Sequence, residues 1–194
     1  MNRPGLRERK RIETLHRIQE EALRLFDEQG YDATTIEQIA EAAGVSPSTF
    51  YRYFPVKEDV VVQDEYDPFI METFANLPKD LPPLALIRAA FEELFSQFGP
   101  EDLQRVRRRA RMIYTEPALR ARQHEQSLVT ERFIAEMAAE HSGRSLQDLE
   151  LRHFTAVVIA SMTLAITVWA ESDEGDLLVP LNRCLDHLEV GLPL

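Results

Sequence analysis

The sequence predicts an all-α protein in two parts, a three-helix unit at the N-terminus and a larger helical unit after it. Three observations carry that reading. Apolar residues recur at helical spacing along nearly the whole chain, no segment alternates apolar and polar residues over a useful length, and helix start and stop signals punctuate the pattern. At 194 residues the chain can bury a core without covalent staples, and its one cysteine, Cys184, has no intrachain partner. A cytoplasmic home is expected, since the charged opening MNRPGLRERKRIE lacks the apolar stretch of a secretory signal.

A first helix is expected from Leu6 to Gln29, with Ile18, Ala22, Leu25 and Phe26 on one face and Gly30 as its stop. A second opens with Thr34 as N-cap and Glu37 at N3 and closes at Gly44; a third opens with Ser46 as N-cap and Pro47 at N1. A fourth starts near Lys57 behind a poor cap, Val56, and Pro68 should kink it near Asp67. LPKDLPP (77–83) reads as a linker, followed by a stripe of Leu84, Ile87, Phe91, Leu94, Phe95 and Phe98 that ends at Gly99-Pro100. Further helices are expected over Glu101–Tyr114, Pro117–Ser142, Ser145–Glu171 and Asp176–Val190, the third of these with Ser145 and Asp148 in capping-box spacing.

Residues 33–59, ATTIEQIAEAAGVSPSTFYRYFPVKED, meet the steric demands of a helix-turn-helix. Ala40 is small where two helices cross, Gly44 can take the left-handed backbone of the turn, and Ile36, Ile39, Ala43, Val45 and Phe50 are apolar where the helices meet. Ser46, Ser48, Thr49, Tyr51, Arg52 and Tyr53 then face outward, a set suited to base edges and phosphates. An ordinary helical hairpin would explain the apolar set but not that outward face.

The net charge of -11 argues at first against nucleic acid, but its distribution reverses the impression. Residues 1–57 carry nine Lys/Arg and nine Asp/Glu, so the whole excess of acid lies beyond them. Arg3, Arg7, Arg9, Lys10, Arg11 and Arg17 make a basic arm of the kind that follows a phosphate backbone, with Arg7 and Arg11 as its candidate contacts.

The run from Ile18 to Asp59 resembles the N-terminal domain of TetR-type transcriptional regulators in its L-F, G-Y, T-T-I, I-A, A-G-V-S, T-F-Y, Y-F and K-E elements. The resemblance implies a helix-turn-helix DNA-binding domain over residues 1–56 and a ligand-binding and dimerisation domain over 57–194. It further implies DNA contacts at Thr35, at Ser46, Ser48, Thr49, Tyr51, Arg52 and Tyr53, and at Lys57; Arg52 suits a bidentate guanine contact and Lys57 a phosphate. The chain departs from the commonest pattern at Tyr53, where histidine is frequent, and at Val56, where a capping residue is usual.

The second part is read from composition. Phe91, Phe95, Phe133 and Trp169, with Met112, Met137 and Met162, supply soft, adaptable side chains that make either a plain core or, as the resemblance implies, a ligand pocket. In RVRRRARMI (105–113), arginines flank a buried stripe of Leu103, Val106, Ala110 and Ile113; they form a solvated face paired to acidic groups or, with Arg109 foremost, hold an anionic head group. DEYDP (64–68) and RARMIYTEPALRAR (109–122) loosely resemble TetR-type regulators of the acyl-CoA or fatty-acid-sensing kind, which implies an apolar or amphipathic effector.

The uncharged stretch FTAVVIASMTLAITVWA (154–170) reads as a helix buried on most sides, because it is short for a span and rich in Ser and Thr. Ala156, Ala160, Ser161 and Ala165 permit close helix approach. With the last helix they predict a two-fold homodimer through a four-helix bundle, its interface at Val158, Ser161, Ala165, Leu181, Leu185 and Leu188. Such a dimer sets two recognition helices about 34 Å apart and requires a palindromic operator. The expected function is a ligand-released repressor; an activator of the same fold and a helical interaction module without DNA binding are the alternatives. Five scattered histidines without metal-ligand spacing and the lack of a glycine-rich phosphate loop argue against an enzyme, a metal site or a cofactor.

Overall fold

The structure is a computed structural model describing residues 6–63, 73, 76–78, 80–172 and 175–193, with side chains from Lys10 onward. Among the described residues all regular structure is helical. The helices are α1 (Leu6–Gln29), α2 (Ile36–Ala42), α3 (Pro47–Tyr53), α4 (Asp59–Val62), α5 (Pro83–Ser96), α6 (Pro100–Thr115), α7 (Pro117–Ser142), α8 (Leu149–Glu171) and α9 (Leu178–Glu189). The kink expected at Asp67–Pro68 lies outside the described residues.

Two hydrophobic clusters organise these helices. The first gathers Ile18, Ala22, Leu23 and Phe26 of α1, Ile39 and Ala40 of α2, Phe50 of α3 and Phe54 after it, then Val60, Val61 and Val62 of α4. Ile113 of α6 and Leu119 of α7 pack into the same cluster, so burial continues across the boundary expected at residue 56. Each of these valines, taken from water, contributes roughly 1.5–3 kcal/mol, which pins the short α4 between the two parts. The second cluster is built on Ile87, Ile134, Val158, Ala165, Leu181 and Leu185, from α5, α7, α8 and α9.

Two helix starts and one burial pattern differ from expectation. The α2 N-cap is Thr35 rather than Thr34: its hydroxyl accepts from the Gln38 N–H, and the Gln38 side chain accepts from the Thr35 N–H. Thr34 is buried instead, and its hydroxyl donates to the Gly30 carbonyl at 2.8 Å, tying the loop to the end of α1. The helix expected to begin at Ser145 begins at Leu149, because the Ser145 hydroxyl is spent on the Gln147 N–H in a tight turn. α8 is not buried on most sides: Leu151, Thr155, Val158, Ala165 and Trp169 form one buried stripe, while Leu164 and Val168 are 55% and 47% exposed on the opposite face.

Candidate nucleic-acid interface

The turn between α2 and α3 is closed by the Val45 N–H, which donates to the Ala40 carbonyl at 2.9 Å, with Gly44 at φ +63° supplying the left-handed step. Ser46 caps α3 by accepting from the Thr49 N–H at 3.1 Å, and its hydroxyl also lies 3.0 Å from that of Thr49. Phe50 and Phe54 are fully buried, their ring centroids 5.6 Å apart, and fix the rotation of α3 about its axis. That rotation leaves Ser46, Ser48, Tyr51 and Arg52 exposed, with Thr49 and Tyr53 half-buried. The Arg52 guanidinium rests over the Tyr53 ring at 5.5 Å, which steadies a side chain otherwise free in solvent.

Thr35 is exposed at the α2 N-terminus, and Arg11 is exposed on α1. Arg7 lies on the α1 backbone, with its side chain outside the described residues. Lys57 has a different setting from the free phosphate ligand expected. Its ammonium donates to the Tyr31 carbonyl at 2.5 Å and lies 4.0 Å from the Tyr31 ring centroid, and burial lowers its pKa against the opposing pull of Asp32 and Glu58. The Tyr31 hydroxyl donates to Glu58 at 2.8 Å; burial first, then that carboxylate, raises the phenol's pKa. A knot of Tyr31, Lys57 and Glu58 thus fastens the α1–α2 loop to α4.

The expected ligand residues divide. Phe91, Phe133, Met137 and Met162 converge on the second cluster, and Phe95 stacks on Phe91 with centroids 6.0 Å apart. Met112 packs on the first cluster instead. Trp169 is buried apart from both, its indole N–H donating to the Gly175 carbonyl at 3.0 Å beneath the Arg107 guanidinium. Arg109 is buried with its Nε donating to the Val61 carbonyl at 2.9 Å, so it braces α4 and does not point into an aromatic pocket.

The rest of the arginine run is likewise not a simple solvated face. Arg105 pairs with Asp102 and approaches Glu20 at 3.9 Å, Arg108 pairs with Asp27 at 2.5 Å, and Arg111 donates to the Ala170 and Ser172 carbonyls. These contacts clamp α6 to α1 on one side and to the end of α8 on the other.

The expected interface residues also divide. Val158, Ala165, Leu181 and Leu185 are at most 1% exposed inside a single protomer, so they cannot present a surface to a second one. Apolar character alone does not distinguish the two faces, and the helical register turns those positions toward α5 and α7. Ser161 and Leu188 are half-buried, and the exposed apolar face is Ala156, Ala160, Leu164 and Val168 of α8 with Val179 of α9. Gln19, Tyr31 and Glu58 hold α4 in place; Tyr31 and Glu58 fall in the G-Y and K-E elements, which give them no such role, and Gln19 falls in no motif.

The profile described as "Bacterial regulatory proteins, tetR family" matches residues 18–63, and that described as "MftR C-terminal domain" matches residues 81–193. The HTH-type transcriptional regulator TcmR of Streptomyces glaucescens is 32% identical, over 98% of this chain and 89% of its own. The putative mycofactocin biosynthesis transcriptional regulator MftR of Mycobacterium tuberculosis is 25% identical over 95% of this chain and 93% of its own. Among solved structures, Thermus thermophilus FadR, described as a TetR-family transcriptional repressor in complex with lauroyl-CoA, is 27% identical with a TM-score of 0.58, covering 93% of this chain and 95% of that one. Bacillus halodurans FadR, 20% identical over 92% and 96%, shares the fold at a TM-score of 0.64. These relatives are regulators and not enzymes. A capped recognition helix locked by Phe50 and Phe54, and a C-terminal helical unit matched through its length, agree with them: the chain belongs to the TetR family of DNA-binding transcriptional regulators.

Proposed function

We propose that the protein is a cytoplasmic repressor that binds a palindromic operator as a homodimer and releases it when an apolar or amphipathic effector occupies the C-terminal half. The observation that carries this is the outward set Ser48, Tyr51 and Arg52 on a helix anchored from its other side by the fully buried Phe50. Arg52 offers two parallel donors to guanine, Tyr51 and Ser48 offer hydroxyls and an apolar ring edge, and the exposed Thr35 and Arg11 reach toward phosphates. Lys57 contributes by holding the loop that leads into α2.

The homodimer is supported by the exposed face of Ala156, Ala160, Leu164 and Val168 on α8 with Val179 on α9, an apolar stripe on helices whose other side is the protomer core. The effector class is supported by the convergence of Phe91, Phe133, Met137 and Met162, and by the lauroyl-CoA described with the Thermus relative. An acyl chain suits thioether and aromatic walls, which reshape at little cost. An effector that prefers a different separation of the two recognition helices lowers operator affinity by linkage.

The test is fluorescence anisotropy on duplexes carrying the DNA upstream of the protein's own gene, titrated with salt and then with lauroyl-CoA. Affinity for the cognate duplex should fall steeply as salt rises, with about 0.9 logarithmic units lost per tenfold salt for each phosphate neutralised. Arg52→Ala should narrow the gap between cognate and random duplex by roughly 1–3 kcal/mol. Equal affinity for both duplexes in the wild type would refute DNA-directed function.

A further inference from the structure

Between the C-terminal half of α1 and the outer face of α6 lies a cleft of about 500 Å³, within the size range of small-molecule sites. Its apolar lining is Phe26, Tyr31 and Met112, and its charged lining is Arg107, Arg108 and Arg111 with the carboxylates of Asp27 and Glu116. We propose that this cleft is a binding site for an organic anion, an apolar body bearing a single sulfonate-, carboxylate- or phosphate-like group. It stands apart from the effector pocket proposed above, which lies among α5, α7 and α8, and each can fail without the other.

Three features point to a ligand here. The guanidiniums are held in place before anything binds: Arg107 lies 4.4 Å from the Trp169 ring centroid and donates to the Gly175 carbonyl at 2.8 Å, and Arg111 donates to the Ser172 carbonyl at 2.7 Å. Side chains already fixed lose little entropy on binding, which favours affinity. Next, Arg108 reaches across the cleft to Asp27 while its side chain stays 38% exposed, so an incoming acceptor can compete for the guanidinium. Last, Phe26 and Tyr31 from the α1 side line the same cleft as the arginines of α6, so body and charge of one molecule meet complementary groups together.

The place of the cleft gives occupancy a consequence. One wall includes Gly30 and Tyr31, which lead into α2, and the other is α6 of the C-terminal half. A molecule seated there touches both parts of the protein and resists any change in their separation.

The test uses 8-anilinonaphthalene-1-sulfonate on the full-length protein, read by fluorescence, with the uncharged N-phenyl-1-naphthylamine as its partner probe. The sulfonate should bind saturably at one per protomer, and the neutral probe at least tenfold more weakly. Arg108→Gln should weaken the sulfonate at least fivefold. Gln104→Trp, at an exposed position lining the cleft with no described hydrogen bond to lose, should weaken both probes by filling it. Melting curves establish that each variant is folded, and Gln104→Trp decides the matter if Arg108→Gln is not. No saturable binding, equal binding of the two probes, or sulfonate binding unchanged in the folded variants would each overturn the proposal, the last by placing the probe elsewhere.

Discussion

Gln19 of α1 and Arg109 of α6 donate to the same acceptor, the carbonyl oxygen of Gln63 at the end of α4, at 2.9 and 3.4 Å. Arg109 also holds the Val61 carbonyl and Gln19 the Val60 carbonyl, so the acceptors that a helix leaves open at its C-terminus are taken by one side chain from each half of the protein. Any shift of α6 relative to α1 must stretch one of these bonds, which makes the end of α4 the joint through which the halves feel each other.

Arg109→Met keeps much of the side chain's volume and removes the donors. It should destabilise the protein by about 2 kcal/mol, because buried carbonyls lose their partners, and lower Tm by roughly 4–8 °C. Differential scanning calorimetry checks this; an unchanged Tm would mean that the α4 carbonyls find other donors and the joint is not there.

The Tyr31–Glu58 bond gives a pH dependence with a definite sign. The phenol's pKa is raised in the fold, so its contribution is fully present below the ordinary tyrosine value of 10.0 and is lost as pH rises beyond it toward the folded value. Tyr31→Phe should lower Tm modestly at neutral pH, and its Tm should fall less than the wild type's between about pH 10 and 11. Parallel declines of the two proteins would show that Tyr31 ionisation does not drive the alkaline loss.

The protomer core and the proposed subunit face respond to mutation in opposite ways. Leu185→Ala should cost roughly 2–5 kcal/mol of stability, as a cavity in a filled cluster does, and leave association intact where the protein stays folded. Val168→Glu should leave protomer stability nearly unchanged and yield monomers in sedimentation velocity, because it buries a charge between subunits. A Val168→Glu protein that still sediments as a dimer would move the interface elsewhere.

Ala40 is fully buried where α2 approaches α3. Ala40→Leu should overpack that crossing by about 1–3 kcal/mol and abolish operator binding at temperatures well below the new Tm, as it displaces α3 and with it the outward Tyr51 and Arg52. Operator binding that survives at full strength would show that the crossing is more accommodating than its burial indicates.

The N-terminal unit was the more legible in the sequence because its signals are local: Gly44, the Ser46 cap, Pro47 and the spacing of Ile39, Ala40 and Phe50 all act within a few residues. The error of one residue at the α2 cap arose because two adjacent threonines both accept hydrogen bonds, and only the contact of Thr34 with α1 decides between them. The C-terminal half depends on contacts between distant segments. Arg109 looked like a ligand's counter-ion because nothing in RVRRRARMI shows that α4 supplies carbonyls to it. Val158 and Ala165 looked like interface residues because α8 is apolar on both stripes, so register alone could not say which stripe the protomer would claim.

The most direct test of the central claim is selection of duplexes from a random library by the purified full-length protein and by Arg52→Ala. The wild type should enrich an inverted repeat whose half-sites face the same side of the helix, and Arg52→Ala should retain the spacing while losing preference for a guanine within each half. Enrichment of nothing by the wild type, or of a sequence without two-fold symmetry, would contradict the reading of α3 as one of a pair of recognition helices.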